Sequence, residues 1–262
     1  MAAPASEHVL IDGCRLEYRW LGPRPATGPA IVFLHEGLGS ISQWKDFPAA
    51  LCERTGRSGL VYNRRGYGGS DPAARMSPDF MHREALDVLP QLLDVFAIEQ
   101  PVLFGHSDGG SIALIYAGSQ NPSPAGLILE APHVFVEDLT VASIASLRDA
   151  YHSSPLRSRL ERHHGANVNQ LFEQWTTAWL SEPFRAWNIA EYLPAIDCPA
   201  LIVQGSEDEY GTVEQVRAIA DAVSGPVETL ILDACGHAPH IDQRDKVLSA
   251  AAAFMSATGR QP

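Results

Sequence analysis

A serine in a tight, glycine-flanked turn is the strongest candidate for covalent chemistry in this chain. Residues 105–109 are Gly-His-Ser-Asp-Gly; they follow an apolar run and precede a helical pattern of small residues. In that strand–turn–helix setting the serine is presented on a strained turn, and Gly105 and Gly109 fit because the turn leaves no room for side chains. The pattern also occurs in ordinary glycine-rich turns, so the flanking elements carry the prediction that Ser107 is a nucleophile.

A serine hydroxyl is a poor nucleophile at neutral pH, so it needs a histidine as general base and a carboxylate that orients the histidine. With this kind of turn, the acid follows the serine in the chain and the histidine comes last. Two loops after predicted strands, residues 204–211 and 235–240, meet that order. We therefore predict that Asp208 is the acid and that His237 is the general base.

Other residues compete for these two roles. Glu207 and Glu209 flank Asp208 in a loop whose acidity also fits plain solvated surface. Glu130 ends the predicted strand after the nucleophile's helix, which makes it a second candidate acid. His240 stands where a helix begins, so capping or packing is the simpler role for it.

Acyl-bond hydrolysis also requires donors for the negative charge that develops on the carbonyl oxygen. One donor is the backbone N–H of the residue after the nucleophile, which is Asp108. The second belongs to the loop after the strand that ends at Leu34, and we assign it to Gly37 because residues 36–39 allow close backbone approach. Losing one such donor costs about 3–4 kcal/mol of transition-state stabilisation.

Two carboxylates next to these donors, those of Asp108 and Glu36, pose an electrostatic problem. At about 4 Å and an effective dielectric constant of 20, a carboxylate opposes the developing charge by roughly 4 kcal/mol. Each must therefore point away, be paired or hold a cation. Asp108 opens a helix, where the helix dipole favours an acid, and the alternative is that it receives a cationic group of the substrate. We expect Glu36 to contact the substrate region and to pair with Arg64 or Arg65.

Short apolar runs alternate with helical patterns along most of the chain. This rhythm predicts an α/β fold with a mostly parallel sheet flanked by helices, preceded by a hairpin that turns at residues 12–13. Strands are predicted at residues 30–34, 60–62, just before Ser107, 126–130, 199–204 and 227–232, and helices at 79–96, just after Ser107, 212–223 and 240–256.

Residues 133–193 interrupt this rhythm because they contain helical patterns and no convincing buried strand. We expect a core formed by residues 1–132 and 194–262, with residues 133–193 inserted as a helical lid over the strand ends. Trp175 and Trp179 are four residues apart and share a helix face. They either line an apolar substrate pocket or attach the lid to the core.

No metal or cofactor is expected. His163 and His164 are adjacent, so their side chains diverge on a helix, and no acid partner is evident for them. His35 and His106 are expected to be structural. The 4 cysteines of the chain lack the spacing of metal ligands.

The composition of the chain restricts which classes of binding partner and which cellular compartment we expect. The chain has 262 residues, 45% hydrophobic and 19% charged, and a formal net charge of -12, which opposes binding to nucleic acid and to anionic membranes. No apolar run is long enough to span a bilayer, and the first residues lack the features of a signal peptide. We expect a cytoplasmic protein with reduced thiols that acts on a small molecule; its oligomeric state is left open.

These motifs, in this order, resemble the α/β-hydrolase superfamily. Within it, the Ser107-Asp108-Gly109-Gly110 run, the Arg65-to-Gly68 run and the Trp-bearing helices resemble the valacyclovir-hydrolase (biphenyl-hydrolase-like) serine hydrolases, and this likeness implies that Asp108 receives a substrate amino group. Glu36 departs from the pattern, because many relatives have glycine there. Serine at position 107 argues against the members with an aspartate nucleophile, the haloalkane dehalogenases and epoxide hydrolases. The matching segments are 35–39, 65–70, 105–110, 205–208 and 236–237.

The function expected from the sequence is cofactor-free hydrolysis of a small carboxylic ester, with amino-acid and aromatic esters as candidates. A first alternative is hydrolysis of a carbon–carbon bond in an aromatic-degradation intermediate, which uses the same residues. The negative charge of the protein counts against it, because such diketo acids are anions. A second alternative is a ligand-sensing protein on a hydrolase scaffold, since a fold and a site do not prove turnover.

Overall fold

A computed structural model of the chain describes residues 6–23, 29–73 and 75–258. Within that part, the strands are β1 (Glu7–Ile11), β2 (Cys14–Leu21), β3 (Ile31–Leu34), β4 (Gly59–Tyr62), β5 (Val102–His106), β6 (Gly126–Glu130), β7 (Ala200–Gly205) and β8 (Val227–Leu232). They form one 8-stranded sheet in the order β1-β2-β4-β3-β5-β6-β7-β8. The β1–β2 and β2–β4 pairs are antiparallel and the other pairs are parallel.

Helices cover both faces of this sheet and fill the connection between β6 and β7. They are α1 (Phe47–Thr55), α2 (Phe80–Arg83), α3 (Leu89–Phe96), α4 (Asp108–Ala117), α5 (Asp138–Ala150), α6 (Leu156–His164), α7 (Val168–Trp179), α8 (Glu182–Arg185), α9 (Val213–Ala222), α10 (Pro239–Asp242) and α11 (Arg244–Thr258). Helices α1 and α11 pack on one face, while α3, α4 and α9 pack on the other. No helix in the described residues combines the length and apolar character that crossing a bilayer requires.

The central strands are apolar at every position because both of their faces are covered. In β3, Val32 and Leu34 join the core under α3 and α4, whereas Ile31 and Phe33 join the core under α1 and α11. The β1–β2 hairpin turns at residues 12–13, as predicted, and Asp12 and Gly13 have φ values of 47° and 69°. Positive φ at both central residues is what a two-residue hairpin turn demands.

Two of the helices predicted from the sequence have a different form in the structure. The helix predicted over residues 79–96 contains a π-helical turn at Glu84–Val88. The extra residue in this turn rotates the first part of the helix relative to the second. Leu86 is therefore 38% exposed, although in a regular α-helix it would share a face with the buried Leu89 and Leu93, three and seven residues further on. The last predicted helix is two helices, because the chain leaves helical geometry at Gln243, whose φ is -133° and ψ 48°.

The connection between β6 and β7 contains α5 to α8 and a 3-10 segment at Ala190–Ala195. Its described residues form no strand, only an isolated bridge between Phe135 and Asn188. Trp179 and Phe184 from this connection are buried in the same core as α3 and α4. The inserted helices are therefore fastened to the sheet domain by large aromatic side chains.

Candidate active site

Ser107 occupies the sharp turn between β5 and α4. Its φ of 54° and ψ of -118° lie in a region that side chains other than glycine rarely adopt. A Cβ added to Gly105 would lie 2.3 Å from the carbonyl oxygen of Gly109, and one added to Gly109 would lie 2.0 Å from that of Leu34. The glycines on either side of Ser107 are therefore required by backbone contacts.

Three polar side chains meet at this turn. Nε2 of His237 lies 2.9 Å from Oγ of Ser107. Nδ1 of the same ring lies 2.9 Å from each carboxylate oxygen of Asp208. A carboxylate only accepts, so Nδ1 carries the proton and Nε2 is free to accept the hydrogen of the serine hydroxyl.

Asp208 is held as an anion by its surroundings. Its carboxylate accepts hydrogen bonds from the side-chain amide of Gln204 at 2.7 Å and from the backbone N–H groups of Tyr210 at 2.7 Å and Gly211 at 3.2 Å. Burial acts to raise the pKa of Asp208, but the hydrogen bond and charge of His237 and the N–H of Tyr210 outweigh burial, so the pKa is lowered.

The other acids considered for this role, Glu130, Glu207 and Glu209, do not contact His237. The carboxylate of Glu130 is buried and accepts from the backbone N–H of His240 and, at 2.7 Å, pairs with Nδ1 of the same residue. Glu207 and Glu209 are exposed. Of the four acids considered from the sequence, Asp208 is the one that contacts His237.

Two backbone N–H groups near Ser107 have no acceptor among the described residues, those of Gly37 and Asp108. The N–H of Asp108 is free because the first residues of a helix have no intrahelical acceptor. The loop that carries Gly37 is fixed by its carbonyl groups: Tyr67 donates its hydroxyl to Gly37 at 2.8 Å, and Arg64 donates to Glu36 at 2.7 Å.

A cavity of about 370 Å³ opens above Ser107 and Gly37. Glu36, Glu209 and Asp242 are its acidic lining residues, and no Lys or Arg occurs among the described residues that line it. Its apolar wall is formed by residues of α5, α6 and α7: Ile144, Leu147, Leu156, Leu160, Trp175 and Trp179. The two tryptophans thus line the pocket, one of the two roles that the sequence allowed.

The carboxylate of Asp108 does not reach this cavity. It is fully buried; Trp175 donates its indole N–H to Oδ2 at 3.0 Å, and the Arg64 guanidinium lies 3.8 Å away. Burial raises the pKa of Asp108, against the charge of Arg64 and the N–H groups of Trp175 and Trp179. The expectation that Asp108 binds a substrate cation is therefore not met, because Arg64 already neutralises the carboxylate and Trp175 covers it.

The predicted partner of Glu36 is wrong. Its carboxylate lies 2.6 Å from Nδ1 of His106. Arg64 contacts Glu36 only at the backbone carbonyl, and Arg65 lies 3.7 Å from Asp12. Burial opposes both charges, but their mutual attraction lowers the pKa of Glu36 to about 2 and raises that of His106 to about 9. Glu36 nevertheless lines the cavity, as expected.

Comparison with known proteins identifies the family. Residues 31–251 match the alpha/beta hydrolase family. The chain belongs to this family. The α/β-hydrolase fold and the resemblance stated from the motifs are thereby confirmed, and hydrolase chemistry is the property that its relatives share.

Relatives of this hydrolase include the serine hydrolase BPHL of Mus musculus, which is 28% identical over 212 residues covering 79% of this chain and 71% of the relative. The proline iminopeptidase of Lactobacillus helveticus is 23% identical over 90% of this chain and 92% of the relative. Among solved structures, the enol-lactonase of Burkholderia xenovorans LB400 has a TM-score of 0.76 and 21% identity, covering 95% of this chain and 100% of the other. At 21% identity, the similarity to the enol-lactonase supports the fold alone.

Sequence reasoning about this hydrolase missed two residues at the site and the role of a third. Tyr67 and Arg64 hold the loop of Gly37; Tyr67 was noticed only within the 65–70 family motif, and Arg64 only as a possible partner of the Glu36 carboxylate. His133 lines the cavity, and Nδ1 of its imidazole has no hydrogen-bond partner in the described residues; burial and the charge of His237 lower its pKa to about 3. A single histidine after a strand carries no pattern that would have revealed it.

Proposed function

We propose that this protein is a serine hydrolase that cleaves small carboxylic esters through an acyl-enzyme. Oγ of Ser107 attacks the ester carbon while Nε2 of His237 takes the hydroxyl proton, and Asp208 stabilises the resulting imidazolium. The N–H groups of Gly37 and Asp108 bind the oxyanion. The alcohol leaves with the proton from His237, and a water activated by the same ring then hydrolyses the acyl-enzyme.

The observation that carries the proposal is the unbroken contact from Asp208 through His237 to Ser107, beside two backbone N–H groups that have no acceptor in the described part of the chain. Each contact is 2.9 Å, which is within the range for proton transfer. The strained turn at Ser107 supports the same role, because such strain persists at sites where it is needed.

The lining of the cavity favours a neutral or cationic substrate. An anionic substrate would meet Glu36, Glu209 and Asp242, and the described lining residues include no Lys or Arg; the positive charge of the lining His106 is already paired with Glu36. Diketo acids, the substrates of the carbon–carbon hydrolysis alternative, carry such a charge. The apolar wall supports an aliphatic or aromatic acyl group, and we propose that α5, α6 and α7 form the lid over it.

The test is hydrolysis of p-nitrophenyl acetate, butyrate and benzoate and of an amino-acid ester, with fluorophosphonate labelling in parallel. Ser107→Ala is expected to lose labelling and at least about 10³-fold in kcat. Ser256→Ala, which changes an exposed serine on α11, is the control and should match the parent protein.

Ester hydrolysis that persists in Ser107→Ala would overturn the proposal. Labelling of Ser107 without turnover of any ester would favour carbon–carbon hydrolysis or ligand sensing. A stable acyl-enzyme after one turnover would point to the sensor.

A further inference from the structure

A buried histidine links the three loops that carry the proposed catalytic groups. Nδ1 of His106 lies 2.6 Å from the carboxylate of Glu36, and Nε2 of the same ring lies 2.7 Å from the backbone carbonyl oxygen of His237. Glu36 precedes Gly37 and His106 precedes Ser107. One side chain therefore bridges the oxyanion loop, the nucleophile turn and the loop of the general base.

The chemistry of the two partners fixes the protonation of this ring. A carboxylate and a carbonyl oxygen both only accept hydrogen bonds. A neutral imidazole has one N–H, so its other nitrogen would direct a lone pair at an acceptor, and His106 is 1% exposed, so water cannot relieve that contact. The imidazolium donates from Nε2 to the His237 carbonyl and forms an ion pair with the Glu36 carboxylate 2.6 Å from Nδ1.

The charged groups around His106 favour this form. Glu36 comes from the loop after β3 and Glu130 from β6, and their combined attraction outweighs burial and raises the pKa of His106 to about 9. The rings of His237 and His240 lie 5.2 Å and 5.1 Å from that of His106, and the ring of Trp44 lies 6.1 Å away. His240 is paired with Glu130.

We propose that His106, held as an imidazolium between Glu36 and the His237 carbonyl, is a positioning residue that keeps the nucleophile, the general base and the oxyanion donor in register. The proposal rests on the proposed function of Ser107 and His237. It gives Glu36, the residue that departs from the family pattern, a role in the chain: its carboxylate keeps the bridging histidine charged.

The protonation state is tested without any substrate. The full chain is labelled with ¹⁵N-histidine, and His106 is assigned by the signals that disappear in His106→Gln. Both ring nitrogens of His106 should be protonated at pH 7 in the parent protein, and one of them should be deprotonated in Glu36→Gln. A neutral His106 ring at pH 7 in the parent protein would overturn the proposal whether or not the protein hydrolyses esters.

The positioning role is tested by the pH profile of ester hydrolysis. Activity of the parent protein should fall as pH rises through about 9, where His106 loses its proton. In Glu36→Gln this fall should move to lower pH by at least about one unit, because the stabilising anion is gone. At pH 7, kcat of Glu36→Gln should fall about 10- to 100-fold with KM within about threefold, because misplaced reacting groups slow the chemical step.

Glu36→Gln is the main variant, because Glu36 is partly exposed and its replacement keeps the side-chain shape, whereas His106→Gln risks misfolding. Glu36→Asp keeps the charge and should recover part of kcat. Glu53→Gln, at an exposed position of α1, is the control. An unmoved alkaline limb and an unchanged kcat in Glu36→Gln would show that the bridge has no positioning role.

Discussion

The indole N–H of Trp175 donates to the carboxylate of Asp108 over 3.0 Å, and the same ring lies so close to Gly37 that a Cβ there would be 2.5 Å from it. Helix α7 is thus fastened both to α4, the helix after Ser107, and to the proposed oxyanion loop. The two roles considered for the tryptophans, lining a pocket and attaching the insertion, are combined in Trp175.

Trp175→Phe tests this attachment. The change keeps an aromatic ring but removes the donor, so Oδ2 of the buried Asp108 loses a partner, and we expect the free energy of unfolding to fall by about 1–3 kcal/mol. Trp187→Phe is the matched control, because the indole N–H of Trp187 has no acceptor among the described residues. Urea unfolding of both variants measures the difference; equal losses would mean that the bond to Asp108 contributes nothing.

Asp108→Asn tests whether the carboxylate serves Arg64 or a substrate. The change removes the carboxylate nearest to the buried guanidinium, 3.8 Å away, and we expect a loss of roughly 3–5 kcal/mol in stability. Neutral esters and amino-acid esters should lose kcat/KM by the same factor. The Asp108→Asn, Arg64→Gln double variant should lose less stability than the sum of the single losses. A selective loss on amino-acid esters would instead restore Asp108 as the site for a substrate cation.

Ser107→Gly tests the strain at the turn. Both Ser107→Gly and Ser107→Ala remove the hydroxyl, but only glycine adopts a φ of 54° with a ψ of -118° without a steric cost. We expect Ser107→Gly to be more stable than Ser107→Ala by about 1 kcal/mol, measured by urea unfolding. If alanine is as stable as glycine, the backbone at this residue is not strained.

The 4 cysteines should be unreactive in the folded protein. All are buried free thiols, and burial raises the pKa of Cys52 and Cys198 to about 12 and that of Cys235 to about 11. Because the thiolate is the reactive form, a disulfide reagent at pH 8 should modify thiols only as fast as the protein unfolds, and should titrate all of them in urea. A thiol that reacts rapidly in the native protein would contradict this arrangement.

The strands and the Ser107, His237 and Asp208 cluster were predictable from sequence because both depend on local patterns. A strand covered on both faces is apolar throughout, and the turn at Ser107 needs glycines at fixed spacing. The parallel strands then bring their ends, and the loops that follow them, to one edge.

The ion pairs were not predictable, since several partners were chemically equivalent. An arginine was predicted as the ion-pair partner of Glu36. In the structure, His106 lies 2.6 Å from the Glu36 carboxylate, and Arg64 forms an ion pair with Asp108 instead. Which side chains meet depends on how far each loop rises above the sheet, and no local pattern records that. The hydrophobic periodicity likewise does not predict the π-helical turn that exposes Leu86.

The acidic lining of the cavity should discriminate between esters of different charge. p-Nitrophenyl butyrate and p-nitrophenyl hemisuccinate have acyl chains of similar length, but the second carries a carboxylate. With Glu36, Glu209 and Asp242 in the lining, we expect kcat/KM for the anionic ester to be at least about tenfold lower at low ionic strength. This difference in kcat/KM should become smaller in salt, because the screening length falls from about 10 Å at 0.1 M to about 3 Å at 1 M. Glu209→Gln should also reduce the difference, whereas Glu228→Gln, at an exposed position on β8, should leave it unchanged. A preference for the anionic ester would reverse the argument and favour the diketo acids of carbon–carbon hydrolysis.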